Sequence, residues 1–158
     1  MLIFSGLIDM ADDPNALAGV LAHELAHISH RHPSQLMVAN AGIASVLSLL
    51  VGDVSGGTFM ATMGKLVVGS AYSREFEREA DQSGIEMMRS ANFDIAPMIP
   101  LMEKLNKLTA GSTESIFALI SSHPGGEERL ELLRAAGKTG AQAMSPKTWA
   151  EVKGMCKE

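Results

Sequence analysis

His23, Glu24 and His27 stand in the order H-E-x-x-H within a strongly helical run, Ala22-His23-Glu24-Leu25-Ala26-His27. Residues four apart on a helix lie one turn above each other, about 5–6 Å apart at Cβ. Two imidazoles so placed can reach one cation, each through a bond of roughly 2.0–2.1 Å if that cation is zinc. Glu24 follows the first imidazole and points to the flank of such a cation, where an attacking water would sit. A divalent metal brings the pKa of that water down toward about 7, and a neighbouring carboxylate can take its proton. This is the chemistry of a zinc-dependent peptidase, although three fixed positions also recur by chance in helices that bind nothing.

A catalytic zinc takes three protein ligands and keeps one position open. His30 shares a face with His23 and His27 but lies about 10 Å along the axis from His23 at 1.5 Å per residue, too far for one ion. The longer metzincin pattern requires Gly at 30 and His at 33, where this chain has His30 and Pro33. His30 and His32 therefore read as surface or capping residues at a helix C-terminus, where positive charge is favoured. The third donor must come from another helix. The acidic run 75–86 offers Glu75, Glu77, Glu79, Asp81 and Glu86, and spacing does not choose among them. Most of these acids suit a solvated face paired with Arg74 and Arg78. Glu77 and Asp81, four apart, share a face, so one could bind metal while the other holds a ligand imidazole by its far nitrogen.

The elements that must position these residues are legible from caps and periodicity. Residues 2–8 are β-prone and predict a short strand. Asp13 as N-cap and Pro14 at the first helical position predict a helix over 14–30. Leu17, Leu21, Leu25 and Ile28 form its apolar stripe, with the histidines turned away from it. Pro33 breaks that helix. No charged residue occurs from Pro33 to Gly52, and only Asp53 and Lys65 carry charge between 33 and 73. With a turn at Gly52-Asp53-Val54-Ser55-Gly56-Gly57, residues 33–71 read as an apolar helical hairpin that packs on the core or touches a membrane surface. Ser73 caps a helix to about Ser90, with Phe76, Ala80, Ser83, Gly84, Met87 and Met88 as its packing side. Further helices carry Met98 to Leu108, start at Pro124 and stop at Gly137, and follow a Ser145-Pro146 cap. Residues 110–123 read as a loop with an apolar island from Ile116 to Ile120.

Composition narrows the class. The 158 residues, 46% hydrophobic, suffice for one domain with a core. A net charge of −5 without a Lys/Arg cluster excludes nucleic acid as a partner. The single Cys156 rules out an internal disulfide. Eleven methionines and 4% aromatics indicate an adaptable, helix-rich core. No signal peptide is expected, because residues 1–8 lack a basic region and reach Asp9 too soon. Oligomeric state is not encoded in any of these features.

Three separated segments, His-Glu-Leu-Ala-His-Ile-Ser-His-Arg-His (23–32), Tyr-Ser-Arg-Glu-Phe-Glu-Arg-Glu-Ala-Asp (72–81) and Ser-His-Pro-Gly-Gly-Glu-Glu-Arg-Leu (122–130), occur in the order of peptidase family forty-eight. The chain resembles that family, which includes the HtpX heat-shock protease, the CAAX prenyl proteases and the BepA-like periplasmic proteases, over about residues 3–135. The resemblance implies a gluzincin fold in which His23, His27 and Glu77 bind zinc, Glu24 is the general base and Asp81 a supporting acid. It places His123 near the metal, either polarising the substrate carbonyl or occupying the open position at rest, and Arg129 as an ion-pair partner. The uncharged 33–71 region resembles the soluble BepA-like branch. That implies a bacterial periplasmic or membrane-associated setting and protein or peptide substrates, misfolded envelope proteins among them. The family's Ala-Leu-Pro-Gly-Gly segment, which leads into an edge strand before Ile3-Phe4-Ser5-Gly6, is not found here, so the resemblance implies an N-terminally truncated member.

The expected molecule is mainly α in an α+β zincin-like class, a helical gluzincin core with a short N-terminal edge strand. Residues 1–137 form the zinc metallopeptidase domain, with 33–71 as its hairpin, and 138–158 a C-terminal tail with a short helix. One Zn2+ per chain serves a peptide-hydrolysing centre. The alternative is a catalytically impaired zinc-binding module that binds unfolded or membrane-associated client proteins.

Overall fold

The computed structural model of the chain describes residues 3–52, 56–62, 72–108, 122–123, 126–137 and 140–155. Helix α1 spans Ser5–Met10 and α2 spans Pro14–Ser29. The Asp13 carboxylate accepts from Asn15 N at 2.8 Å, and Pro14 opens α2 where a missing N–H costs nothing. Arg31, in the left-handed region at φ 58°, turns the chain sharply into α3, His32–Leu50. Residues 57–62 are also helical, but 63–71, most of the second arm of the expected hairpin, lie outside the described residues, as does the apolar island 116–120. Helix α4, Arg74–Ser90, begins where Ser73 Oγ accepts from Phe76 N. Helix α5 runs over Met98–Lys107, α6 over Glu127–Ala136 and α7 over Pro146–Gly154, the last capped by Ser145.

The expected edge strand is not there. Residues 5–10 are α1, and the only β pairing among the described residues is an isolated bridge between Phe93 and Ala141. Among the described residues the fold is therefore all-α, 76% helical, and the α+β assignment is corrected. The physical reason is local satisfaction. A lone strand would leave its backbone groups unpaired, whereas helical turns let Leu7 N bond Phe4 O and Ala11 N bond Leu7 O. They also put Leu7 and Ala11 on one face, buried against Ala16, Leu17, Leu101 and Leu105.

Two apolar clusters hold the fold. The first joins α1, α2 and α5, with Trp149 of α7 against it; the second gathers Ala22, Ile85, Met88, Ile95, Met98 and Leu133. Each fully buried large side chain there contributes about 1.5–3 kcal/mol relative to exposure. Helices α2 and α5 supply residues to both clusters and so act as shared walls. Buried Asn15 ties the start of α2 to distant backbone, donating to Asp94 O and Ala141 O and accepting from Ala143 N.

The expected apolar stripe of α2 fails in its second half. Leu25 and Ile28 are 49% and 57% exposed, while Ala22, His23, Ala26 and His27 are buried. Helix α4 packs on the histidine side of α2, and the small residues Ala22, Ala26 and Gly84 are what let the two helices meet. Gly84 lies so near that a Cβ there would stand 3.2 Å from His23 N. Close backbone approach, not the leucine spacing, decides which face of α2 is covered.

Candidate metal centre

Helix α2 brings His23 and His27 to its α4 side, and α4 presents Glu77, Asp81, Gly84, Ile85 and Met88 along one buried face. Spacings of four, three and one keep these residues on a single helical stripe. A main-chain bond from Tyr72 N to Ser122 O, 3.0 Å, joins the start of α4 to the segment carrying His123. The result is a four-donor cluster of His23, His27, Glu77 and His123.

The separations between donors test whether a cation fits. His27 Nε2 lies 3.1 Å from His23 Nε2, and His23 Nε2 lies 3.3 Å from His123 Nδ1. Glu77 Oε1 lies 3.2 Å from His27 Nε2 and 3.0 Å from His123 Nδ1, and Glu77 Oε2 lies 3.4 Å from His23 Nε2. Four ligands held tetrahedrally at roughly 2.0–2.1 Å stand about 3.3–3.4 Å apart. These separations, which draw on both Glu77 oxygens, fall near that value, so the four residues lie close enough together to share one cation.

The far sides of the ligands are held as tightly. Asp81 Oδ1 meets His23 Nδ1 at 2.9 Å, which directs His23 Nε2 at the cluster. Asp81 is in turn gripped by buried Arg129, through Nε to Oδ2 at 2.7 Å and Nη2 to Oδ1 at 2.8 Å. Arg129 Nη1 also lies 2.7 Å from Glu77 Oε2, an ion-pair contact without hydrogen-bond geometry. Tyr72 stacks on His27 with ring centroids 4.2 Å apart.

Charge follows geometry. Burial pushes the Glu77 carboxyl up, but hydrogen bonds to His123, His23 and His27 and the Arg129 charge outweigh it and hold Glu77 far below the usual carboxylate range. Asp81 is lowered in the same way, burial being outweighed by His23 and Arg129. His23 is raised, because its bonds to Asp81 and Glu77 outweigh burial. His27 is lowered, chiefly by burial.

Glu24 stands at the rim, its side chain 27% exposed and its Oε1 3.4 Å from His123 Nε2. That oxygen is buried yet has no hydrogen-bond partner among the described residues. A small cavity of about 50 Å³ opens beside it, lined by Val20, Met98, Met102 and Leu105 along with His23, Glu24 and His123. A larger cleft of about 560 Å³ runs between α4 and α6 and touches Glu77 and Asp81. The smaller one is the space that Glu24 and His123 both line.

The structure brings together all six residues expected at the site, His23, Glu24, His27, Glu77, Asp81 and His123. One sequence expectation is corrected. His32 is not a surface residue but fully buried, its Nδ1 2.9 Å from His27 Nδ1 and its Nε2 3.1 Å from Glu79 Oε2. It also stacks on Phe76 with centroids 4.2 Å apart. The left-handed Arg31 folds His32 back beside His27, and helical periodicity stops at that turn. His30 is exposed, as expected, and bonds Ser83 Oγ.

Comparison with known proteins agrees with this cluster. The profile of Peptidase family M48 matches residues 1–136. The chain belongs to that family. Metalloprotease YcaL of Escherichia coli is 31% identical over 153 residues, covering 86% of this chain and 55% of that protein. Mitochondrial metalloendopeptidase OMA1 of Arabidopsis thaliana is 30% identical, covering 86% of this chain and 27% of that protein. The Beta-barrel assembly-enhancing protease of Escherichia coli is 27% identical, covering 92% and 31%. The chain thus spans about half the length of these relatives or less. Within an M48 peptidase, a His/His/Glu/His cluster with a glutamate at its rim is consistent with a zinc-protease centre.

Proposed function

We propose that this chain is the catalytic domain of a zinc-dependent endopeptidase, with residues 1–137 as the peptidase unit. The observation that carries the reading is a four-donor cluster set against Glu24, whose buried Oε1 has no hydrogen-bond partner among the described residues. His23, His27 and Glu77 would hold one zinc ion per chain, since two imidazoles and a carboxylate are a familiar ligand set for that metal. Zinc bound there would supply Lewis acidity toward a peptide carbonyl and an attacking water. The chain's own groups do the rest. Glu24 takes the water's proton and passes it to the leaving amine. Asp81, gripped by Arg129, holds the far nitrogen of His23. His123 occupies the fourth donor position in this conformation and vacates it for the reacting groups.

Substrates in this reading are proteins or peptides. The apolar lining from Val20, Met98, Met102 and Leu105 favours an apolar side chain beside the scissile bond. The name of the Beta-barrel assembly-enhancing protease ties that relative to barrel assembly. By analogy, misfolded envelope proteins are the client class proposed here, with a periplasmic or membrane-associated setting. The face of α3 supports contact of 33–71 with a lipid surface: Val38, Leu49 and Leu50 are exposed, and its 19 residues are long and apolar enough to cross a membrane.

The test is hydrolysis of an unfolded protein by the zinc-loaded chain, with and without chelator, beside Glu24→Gln. Glu24→Gln is expected to keep its zinc and lose turnover by at least about a hundredfold, the lower end of general-base catalysis. Parental turnover in that variant would overturn the role of Glu24. A parent that binds zinc but leaves substrate intact would favour the module that only holds clients.

A further inference from the structure

We propose that His32 and Glu79 are a positioning pair that selects the ring nitrogen His27 turns toward the cation. The inference rests on the reading of His27 as a metal ligand, and goes beyond it to two residues outside the donor cluster.

The two Nδ1 atoms of His27 and His32 are 2.9 Å apart and buried, so between neutral rings one proton lies between them. With both rings neutral, two arrangements exist. In the first, His27 Nδ1–H donates to His32 Nδ1. His27 Nε2 then carries its lone pair toward His23 Nε2 and Glu77 Oε1, where a cation would sit, and His32 bears its proton on Nε2. In the second, His32 Nδ1–H donates to His27 Nδ1. His27 then carries its proton on Nε2 and cannot ligate, while His32 Nε2 presents a bare lone pair.

Glu79 separates the two. Its Oε2 lies 3.1 Å from His32 Nε2. In the first arrangement that contact is an N–H donating to a carboxylate; in the second it sets two acceptors against each other. The carboxylate therefore enforces the proton arrangement that leaves His27 Nε2 free. The His32 ring cannot rotate cheaply to escape, because it is stacked 4.2 Å from Phe76 and 5.2 Å from His30. The chain of groups is His27 Nδ1–H to His32 Nδ1, then His32 Nε2–H to Glu79. It serves His27 as the Asp81 carboxylate serves His23.

The test is the zinc dissociation constant of the full chain, measured by competition with a chromophoric chelator. Glu79→Gln, His32→Leu and His32→Asn are compared with the parent, and Glu86→Gln on the exposed side of α4 is the control. Glu79 is 47% exposed at its side chain, so Glu79→Gln leaves packing intact. It removes the charge and offers donor and acceptor alike, so it no longer selects. Outer partners of this kind are worth about 10–100-fold in metal affinity. Glu79→Gln is expected near tenfold weaker and His32→Leu weaker still. His32→Asn, whose Oδ1 can accept from His27 Nδ1–H, should recover much of the loss, which a purely packing role would not allow. Cobalt-loaded protein gives a second readout, since the visible bands report donor geometry and should change in His32→Leu. Parental affinity in Glu79→Gln overturns the pair, even if His32→Leu is weak. Should His32→Leu fail to fold, Glu79→Gln and His32→Asn decide. A parent that takes up no zinc overturns the metal reading and this inference together, whereas a zinc-binding parent with unaffected variants overturns this inference alone.

Discussion

Gly84 of α4 rests on the main chain of His23 in α2: a Cβ at 84 would stand 3.2 Å from His23 N and 3.4 Å from His23 Cα. Both neighbours are helical backbone and cannot give way as a flexible side chain would. Gly84→Ala must therefore part the helix that carries Glu77 from the helix that carries the histidines. A cost of about 1–3 kcal/mol is expected, the range for overpacking a well-packed contact, together with weaker zinc binding. Denaturant unfolding and zinc titration of the same variant check both. Parental values in both would mean that the helices are free to separate without penalty.

Arg129 is the counter-charge for two buried carboxylates, Asp81 and Glu77. Arg129→Ala leaves both short of a partner, and breaking a buried pair in this way costs about 3–5 kcal/mol. The metal-free protein should lose most, and zinc should restore part of the loss because a cation again faces Glu77. The pH dependence has a definite sign. Asp81 is held below its ordinary 3.8, so it stabilises the fold at pH above that value. The contribution is lost only as pH falls through the lowered folded-state pKa. Removing Arg129 should shift acid unfolding of the metal-free protein to higher pH. Melting curves across pH test this, and an unmoved acid limb would contradict it.

In the proposed reading His123 fills the fourth donor position at rest, its Nδ1 standing 3.3 Å from His23 Nε2 and 3.0 Å from Glu77 Oε1. A ligand that fills the position needed for reaction restrains turnover. His123→Ala is expected to retain zinc through the other three donors, with weakened affinity, and to hydrolyse an unfolded protein at least as fast as the parent. A collapse of turnover with zinc retained would instead assign His123 to stabilising the reacting carbonyl.

Much of this site is legible before any coordinates, because helix caps and the i, i+4 rule are local. Asp13-Pro14 and Ser73 start the two helices that matter, and the four-residue spacings of His23–His27 and Glu77–Asp81 put the right groups on single faces. What is not legible depends on chain reversal and on partners distant in sequence. His32 looks like a helix-end residue until the left-handed Arg31 folds it back onto His27. Leu25 and Ile28 look like core until the close approach at Gly84 gives that role to the histidine face. Residues 2–8 look like a strand because β-branched and aromatic content is a statement about packing, and the available packing surface here is the helical face formed by Leu17, Leu101 and Leu105. His123 is placed near the metal only by the family resemblance of the Ser-His-Pro-Gly-Gly segment, because the main-chain bond that brings it there, Tyr72 N to Ser122 O, joins residues 50 apart.

The most direct measurement is zinc content per chain by elemental analysis, on the purified protein and on Glu77→Gln. Glu77 is the cluster's one carboxylate, so replacing it removes a donor and the site's negative charge, and binding should weaken even though His23, His27 and His123 remain. The expected result is about one zinc per parent chain and little in Glu77→Gln. No zinc in the parent would contradict the metal centre on which the proposed chemistry stands, and full zinc in the variant would remove Glu77 from its ligands.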